Sequence, residues 1–190
     1  SAAAVKALAE TASELRDWTR LARALEREAD LGSGSRETAA AALTKLGALR
    51  EDLLDDADGA EAAWRAALEK DPAHRPALAA LARVAERRGD HALLAELREK
   101  ELLQATDVRL AVALSLALGQ IYEERLGALD RAATQFQRVL AVTQTEAPAF
   151  RALGRLMAAT GQWDLLIKLY EREATETTDE VHRLHCLFKI

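Results

Sequence analysis

The sequence predicts an all-α solenoid of antiparallel helix pairs, and three observations carry that prediction. The chain repeats itself without a gap at an offset of 72 residues: Pro76 falls on Pro148, Leu81 on Leu153, Gly89 on Gly161, Leu97 on Leu169, Leu46-Gly47 on Leu118-Gly119 and Trp64 on Phe136. Self-similarity at a fixed period marks stacked helical arrays, which present long surfaces rather than reaction centres. The composition is 49% apolar but only 4% aromatic. Ala and Leu carry the apolar share, and side chains that small let helices approach closely. The strong helix formers Arg, Glu, Ala and Leu dominate. The three prolines and nine glycines sit mostly at helix ends, unlike the frequent turns of a β protein.

Caps and periodicity place helices at about 3–14, 17–30, 36–55, 58–70, 75–88, 91–105, 108–126, 129–142, 147–160, 163–176 and 178–190. The helix over 17–30 carries Trp18-x-x-Leu21 and Glu26-Arg-Glu28-Ala29, which copy Trp163-x-x-Leu166 and Glu171-Arg-Glu173-Ala174. It is therefore the second helix of a pair. Ser35 and Asp107 are expected to cap the helices that follow them, since a side-chain oxygen there accepts from the free N–H groups of a first turn. Pro76 and Pro148 fall in first turns, where a missing donor costs little. Gly89 and Gly161 suit the left-handed residue that ends a helix. Thr177-x-x-Glu180 has the pattern of a capping box before the last helix. Leu78, Leu81, Val84 and Ala85 form an apolar stripe at helical spacing, repeated as Phe150, Leu153, Leu156 and Met157. A lone pair of such helices cannot bury its stripe, so neighbours must. Trp64, Phe136 and Tyr170 occupy matching slots of the second helices and read as core.

A net charge of −5 leaves no basic footprint, which argues against nucleic acid. The longest apolar stretch, 110–118, is far short of the roughly 20 residues that span a bilayer, so no membrane insertion is expected. The first residues show no signal peptide. Cys186 is the one cysteine; it excludes an internal disulfide and fits a reducing compartment such as the cytoplasm. The excess of Arg over Lys, with abundant Ala, suggests a GC-rich bacterial gene.

The repeated units resemble the tetratricopeptide repeat, which has Leu-Gly in its first helix and Ala, an aromatic residue, Ala and Pro in its second. One unit reads Leu46-Gly47, Ala60, Trp64, Ala67 and Pro72. Another reads Leu118-Gly119, Tyr122, Ala132 and Phe136, with Gln144 at the place of the closing Pro. A third reads Leu153-Gly154, Met157, Gly161, Leu166 and Tyr170. The unit from Arg75 departs from the pattern, with Leu81-Ala82 for Leu-Gly and Arg98 at the aromatic slot. The reading gives one array over 1–190: a partial unit over 1–35, units at about 40–74, 75–111, 112–146 and 147–183, and an incomplete unit over 184–190. Both ends look cut, so an excerpt of a longer protein is expected.

The resemblance implies a right-handed superhelix whose concave groove, lined by the first helix of each unit, binds a protein or peptide partner. It implies no cofactor and no chemistry of its own. The exposed groove positions it points to are Lys45, Ala48, Glu51 and Asp52, then Arg83, Glu86 and Arg87, then Gln120, Glu123 and Glu124, then Arg151 and Arg155. Their signs alternate by unit, which suits an extended peptide of mixed charge. The alternative is that adjacent units neutralise one another as surface ion pairs worth ~0–1 kcal/mol each. The family's clamp for a C-terminal carboxylate uses Lys and Asn, and this sequence has no asparagine. Two further roles fit such an array: a spacer or self-association module working through open ends, or the accessory superhelix of a larger enzyme or signalling protein.

No catalytic or metal-binding set is defensible from the sequence. The Glu-Arg/Lys-Glu triplets (Glu26 to Glu28, Glu99 to Glu101, Glu171 to Glu173) put their carboxylates on different helix faces. His182, His185 and Cys186 are spaced to share a face, but zinc needs a fourth group and a closed geometry. By the repeat, Cys186 takes the slot of Leu114 and His185 that of Ala113, which speaks for packing. Gly32-Ser33-Gly34-Ser35 precedes a helix but lacks the Lys-Ser/Thr and leading strand of a phosphate loop.

Overall fold

The computed structural model describes residues 2–31, 35–143 and 147–190. Among them are eleven α-helices and no strand: α1 Ala2–Glu14, α2 Trp18–Asp30, α3 Arg36–Leu53, α4 Ala57–Lys70, α5 Arg75–Arg88, α6 His91–Leu103, α7 Val108–Gln120, α8 Leu129–Val142, α9 Ala147–Ala159, α10 Trp163–Glu176 and α11 Glu180–Lys189. A π-helical turn, Ile121–Arg125, continues α7. Gly32, Ser33 and Gly34 of the glycine-serine run, and Gln144 at the closing-proline place, lie outside the described residues. The chain falls into two compact units, residues 1–101 and 102–190.

Local signals set the helix ends. Asp17, Ser35, Asp56 and Asp107 each accept a hydrogen bond from a first-turn N–H. Gly89 and Gly161 end α5 and α9 at φ 71° and 68°. In both turns the next residue donates five positions back, from Asp90 N to the Ala85 oxygen and from Gln162 N to the Met157 oxygen. A second left-handed position also recurs, at Asp55 (φ 52°) and Gly127 (φ 64°). The expected capping box before α11 does not form. Thr177 instead closes α10, and the Asp179 carboxylate accepts from Val181 N at 2.9 Å and His182 N at 3.3 Å. A carboxylate directly before the helix reaches those donors, whereas Thr177 hydrogen-bonds Asp179 N and shapes the turn.

In the first unit α2 packs on α1 and α3, and α4 on α3 and α5. In the second, α8 packs on α7 and α9, and α10 on α9 and α11. Both predicted stripes are buried: Leu78, Leu81, Val84 and Ala85 in α5, and Phe150, Leu153, Leu156 and Met157 in α9. Trp64 and Phe136 are each 1% exposed. Their rings explain the Leu-Gly signature. A Cβ on Gly47 would stand 2.6 Å from Trp64 Cδ1 and Cε2, and one on Gly119 would stand 2.5 Å from Phe136 Cε1. The first helix needs glycine where the aromatic side chain of the second lies against its backbone. Where Ala82 replaces that glycine, the aromatic slot holds Arg98, which turns away to Glu101 at 2.7 Å.

Candidate functional site

The expected groove residues are first-helix side chains, and most stand on the surface. Lys45, Ala48, Asp52, Arg83, Glu86, Arg87, Gln120, Glu124, Arg151 and Arg155 are exposed, while Glu51 and Glu123 are half-buried. In the first unit the opposite charges meet. The Glu51 carboxylate takes hydrogen bonds from Arg83 and, at 2.5 Å, from Arg87. Burial pushes this carboxyl up, but the hydrogen bonds and charges of Arg87 and Arg83 outweigh it and hold it below the ordinary value. The Arg83 guanidinium also lies 5.8 Å from the centre of the Trp64 ring, a cation–π distance.

The second unit repeats the motif at the same offset. Arg155 donates to both oxygens of Glu123, at 3.0 and 3.2 Å. Adjacent first helices thus pair some of their opposite charges, and Glu51, Glu123, Arg83, Arg87 and Arg155 are engaged in this way. Among the described residues, Lys45, Glu124 and Arg151 have no ion pair.

Gln120, Glu123, Glu124, Arg151 and Arg155 do come together in space. They line one open cavity of about 360 Å³ between the end of α7, its π-turn and α9. A larger cavity of about 770 Å³ lies on the other side of α9, against α10 and α11, and shares Arg151 and Arg155. Its apolar wall is Phe150, Gly154, Trp163, Leu166 and Tyr170, and its remaining charged or titratable lining is His182, His185 and Lys189. The groove expectation did not include these α11 residues. The signal available was the spacing of His182 and His185, which the sequence reading weighed with Cys186 for a metal and assigned to packing.

Residues 149–181, the core of this α9–α10 pair, match the family model of the tetratricopeptide repeat. The chain also resembles solved structures. A tetratricopeptide repeat protein from Parabacteroides merdae matches with TM-score 0.53 and 15% identity, over 98% of this chain and 72% of that one. MamA AMB-1 matches with TM-score 0.53 and 14% identity, over 92% and 91%. The chain has the tetratricopeptide-repeat fold. No curated protein matches it by sequence. At these identities the likeness shows the fold alone.

The tetratricopeptide fold is in general a protein–protein interaction scaffold. Within it, the α9–α10 pair departs from its neighbours in one respect. Tyr170 holds the slot of Trp64 and Phe136 but is only half-buried, against the expectation that it belongs to the core. Its ring stands edge-on to Phe150, centroids 5.3 Å apart. A Cβ on Gly154 would find Leu166 Cδ1 at 3.7 Å and the Tyr170 hydroxyl at 3.8 Å, ordinary contact distances. The ring that presses on Gly47 and on Gly119 does not press on Gly154, which is touched only by Leu166 and the tyrosine hydroxyl and lines the cavity.

At the α11 wall of the cavity, His182 Nε2 lies 3.0 Å from Glu173 Oε1 and 3.8 Å from Cys186 Sγ. Cys186 is buried like its counterpart Leu114, and burial followed by the Glu173 charge raises its thiol pKa. A thiol held in its neutral form is a poor nucleophile and metal ligand. His185 is exposed and faces the cavity, so the expected packing role does not hold for it. Among the described residues no helix is long and apolar enough to cross a membrane.

Proposed function

We propose that this protein is a non-catalytic scaffold that binds a peptide or partner segment along the groove formed by α7 with its π-turn, α9 and α11. The supporting observation is the pair of cavities flanking α9, which share Arg151 and Arg155 and so make one continuous recognition strip. Arg151 is exposed and unpaired among the described residues, so its guanidinium is free for a ligand. Glu124, on a π-turn of a type that recurs at functional positions, offers the opposite charge on the other side. The first unit contributes less, because Arg83 and Arg87 are committed to Glu51. Affinity capture with the whole chain as bait tests the reading. Partners retained by the native protein should be lost from Arg151→Glu and reduced by Glu124→Lys. Equal capture by all three would refute it.

Self-association is the second reading, supported by the outer face of α11. Val181, Leu184 and Phe188, at helical spacing, are 77, 62 and 93% exposed. Light scattering over a hundredfold concentration range separates the two, since Phe188→Glu should abolish any rise in mass and leave partner capture intact.

A further inference from the structure

We propose that the cavity between α9, α10 and α11 is a subsite for an acidic peptide carrying one bulky apolar side chain. The inference rests on the groove reading above and names the chemistry of its occupant. Two independent observations support it, one of shape and one of charge.

The repeat defines the shape of the cavity. In the α3–α4 and α7–α8 pairs, the first-helix glycine is covered by a fully buried ring. In α9–α10 that ring is Tyr170, tipped edge-on against Phe150, so that only its hydroxyl and Leu166 reach contact distance of Gly154, which lines a space of about 770 Å³. Phe150, Leu166, Tyr170 and Trp163 surround that space, and Trp163 is 59% exposed. An incoming aromatic or large aliphatic side chain would take the place that a Trp or Phe of the chain itself takes elsewhere. Such a buried anchor is the usual energetic centre of a peptide interface.

Charge then chooses among the peptides that carry an anchor. Every ionisable side chain lining the cavity other than Tyr170 is basic: Arg151, Arg155, His182, His185 and Lys189. Arg155 is neutralised by Glu123, and His182 faces Glu173. Arg151 on α9 and Lys189 on α11 remain unpaired among the described residues, on opposite walls. Carboxylates on either side of the anchor would meet one cation each, while a basic peptide would meet like charge and no lining carboxylate. Complementarity of this kind sets specificity and association rate.

The test uses the full chain and three acetylated, amidated pentapeptides: Glu-Asp-Phe-Glu-Asp, Lys-Lys-Phe-Lys-Lys and Glu-Asp-Ala-Glu-Asp. Binding is read by tryptophan fluorescence, with a Trp163→Phe variant to assign the signal, and by calorimetry at low and high salt. The acidic Phe peptide should bind at least tenfold tighter than either of the others and weaken as salt rises. Arg151→Glu, an exposed change that breaks no ion pair among the described residues, should lower its affinity at least tenfold. Filling the cavity with Gly154→Val should do the same, with folding checked by circular dichroism. Equal binding of the acidic and basic Phe peptides, both lost in Gly154→Val, would overturn the acidic class and leave the groove reading standing. No binding of any peptide at millimolar concentration would overturn both.

Discussion

Gly47→Ala and Gly154→Ala are the same substitution at the same place in two repeats, and they should act in opposite directions. A helix interior gains roughly 0.5–1 kcal/mol from alanine in place of glycine, because the unfolded chain loses freedom. At Gly154 nothing opposes this gain, since the nearest atoms to the new methyl are at 3.7 and 3.8 Å. At Gly47 the methyl would sit 2.6 Å from two ring atoms of Trp64, a side chain 1% exposed. The ring must retreat by close to an ångström. Its N–H donates to the Thr44 oxygen at 3.3 Å, already long, and retreat from α3 weakens that bond further. Overpacking costs about 1–3 kcal/mol, and loosening one hydrogen bond adds up to about 1 kcal/mol. With the helix gain subtracted, Gly47→Ala should destabilise by about 1–3 kcal/mol, and Gly154→Ala should stabilise by about 0.5–1 kcal/mol. Urea unfolding followed by circular dichroism and by tryptophan fluorescence, with Trp64 in the unit of Gly47 and Trp163 in that of Gly154, measures both. Each variant is to be compared within its own unit, because repeat arrays need not unfold as one. A Gly47→Ala protein as stable as the native one would refute the account of the Leu-Gly signature.

Three further outcomes are expected. The Glu51 carboxyl is held below its unfolded value, so its ion pairs stabilise fully above the ordinary carboxylate pKa of 4.5 and lose that contribution as pH falls through the depressed native value. Glu51→Gln should therefore cost at most about 1 kcal/mol at pH 7, given how exposed both arginines are, and nothing at pH 2, as read from urea midpoints at the two pH values. Asp179→Ala should cost about 0.5–2 kcal/mol and speed hydrogen exchange at Val181 and His182, whereas Thr177→Ala should leave those amides protected. Gly127→Ala places a Cβ in open space but at φ 64°, so thermal unfolding should show a pure backbone penalty of about 1–2 kcal/mol.

How much of this was legible in the sequence depends on the range of the interaction. Helix ends were readable because their causes are local: Ser35, Asp107, Gly89 and Gly161 act within a turn of themselves. The cap of α11 was misassigned for the same reason in reverse, since Thr177 and Asp179 both satisfy a local pattern and only backbone geometry separates them. The burial of Trp64 and Phe136 follows from the repeat, but the same periodicity would bury Tyr170, which is half-exposed. The ring carries a hydroxyl and meets Phe150 where the other two units have Leu43 and Ser115, and periodicity is blind to that. The ion pairs Glu51–Arg83 and Glu123–Arg155 join residues 32 apart. The alternation of charge was visible in the sequence, but whether opposite signs face a ligand or each other depends on how first helices stack. The contribution of α11 to the larger cavity had no local signature beyond spacing.

By the packing argument Gly154 need not be glycine, since alanine fits and would strengthen the helix. A position that forgoes attainable stability, next to a half-exposed tyrosine and an exposed tryptophan, is where natural proteins place function. Gly47 and Gly119 carry the same residue for a structural reason, and the displaced ring of Tyr170 distinguishes the third case. If Gly154→Ala raises stability and weakens binding of the acidic Phe peptide together, the glycine holds space for a ligand. If it raises stability and leaves binding unchanged, the open space over α9 is a packing fault with no occupant. That single substitution separates a recognition site from an imperfect repeat.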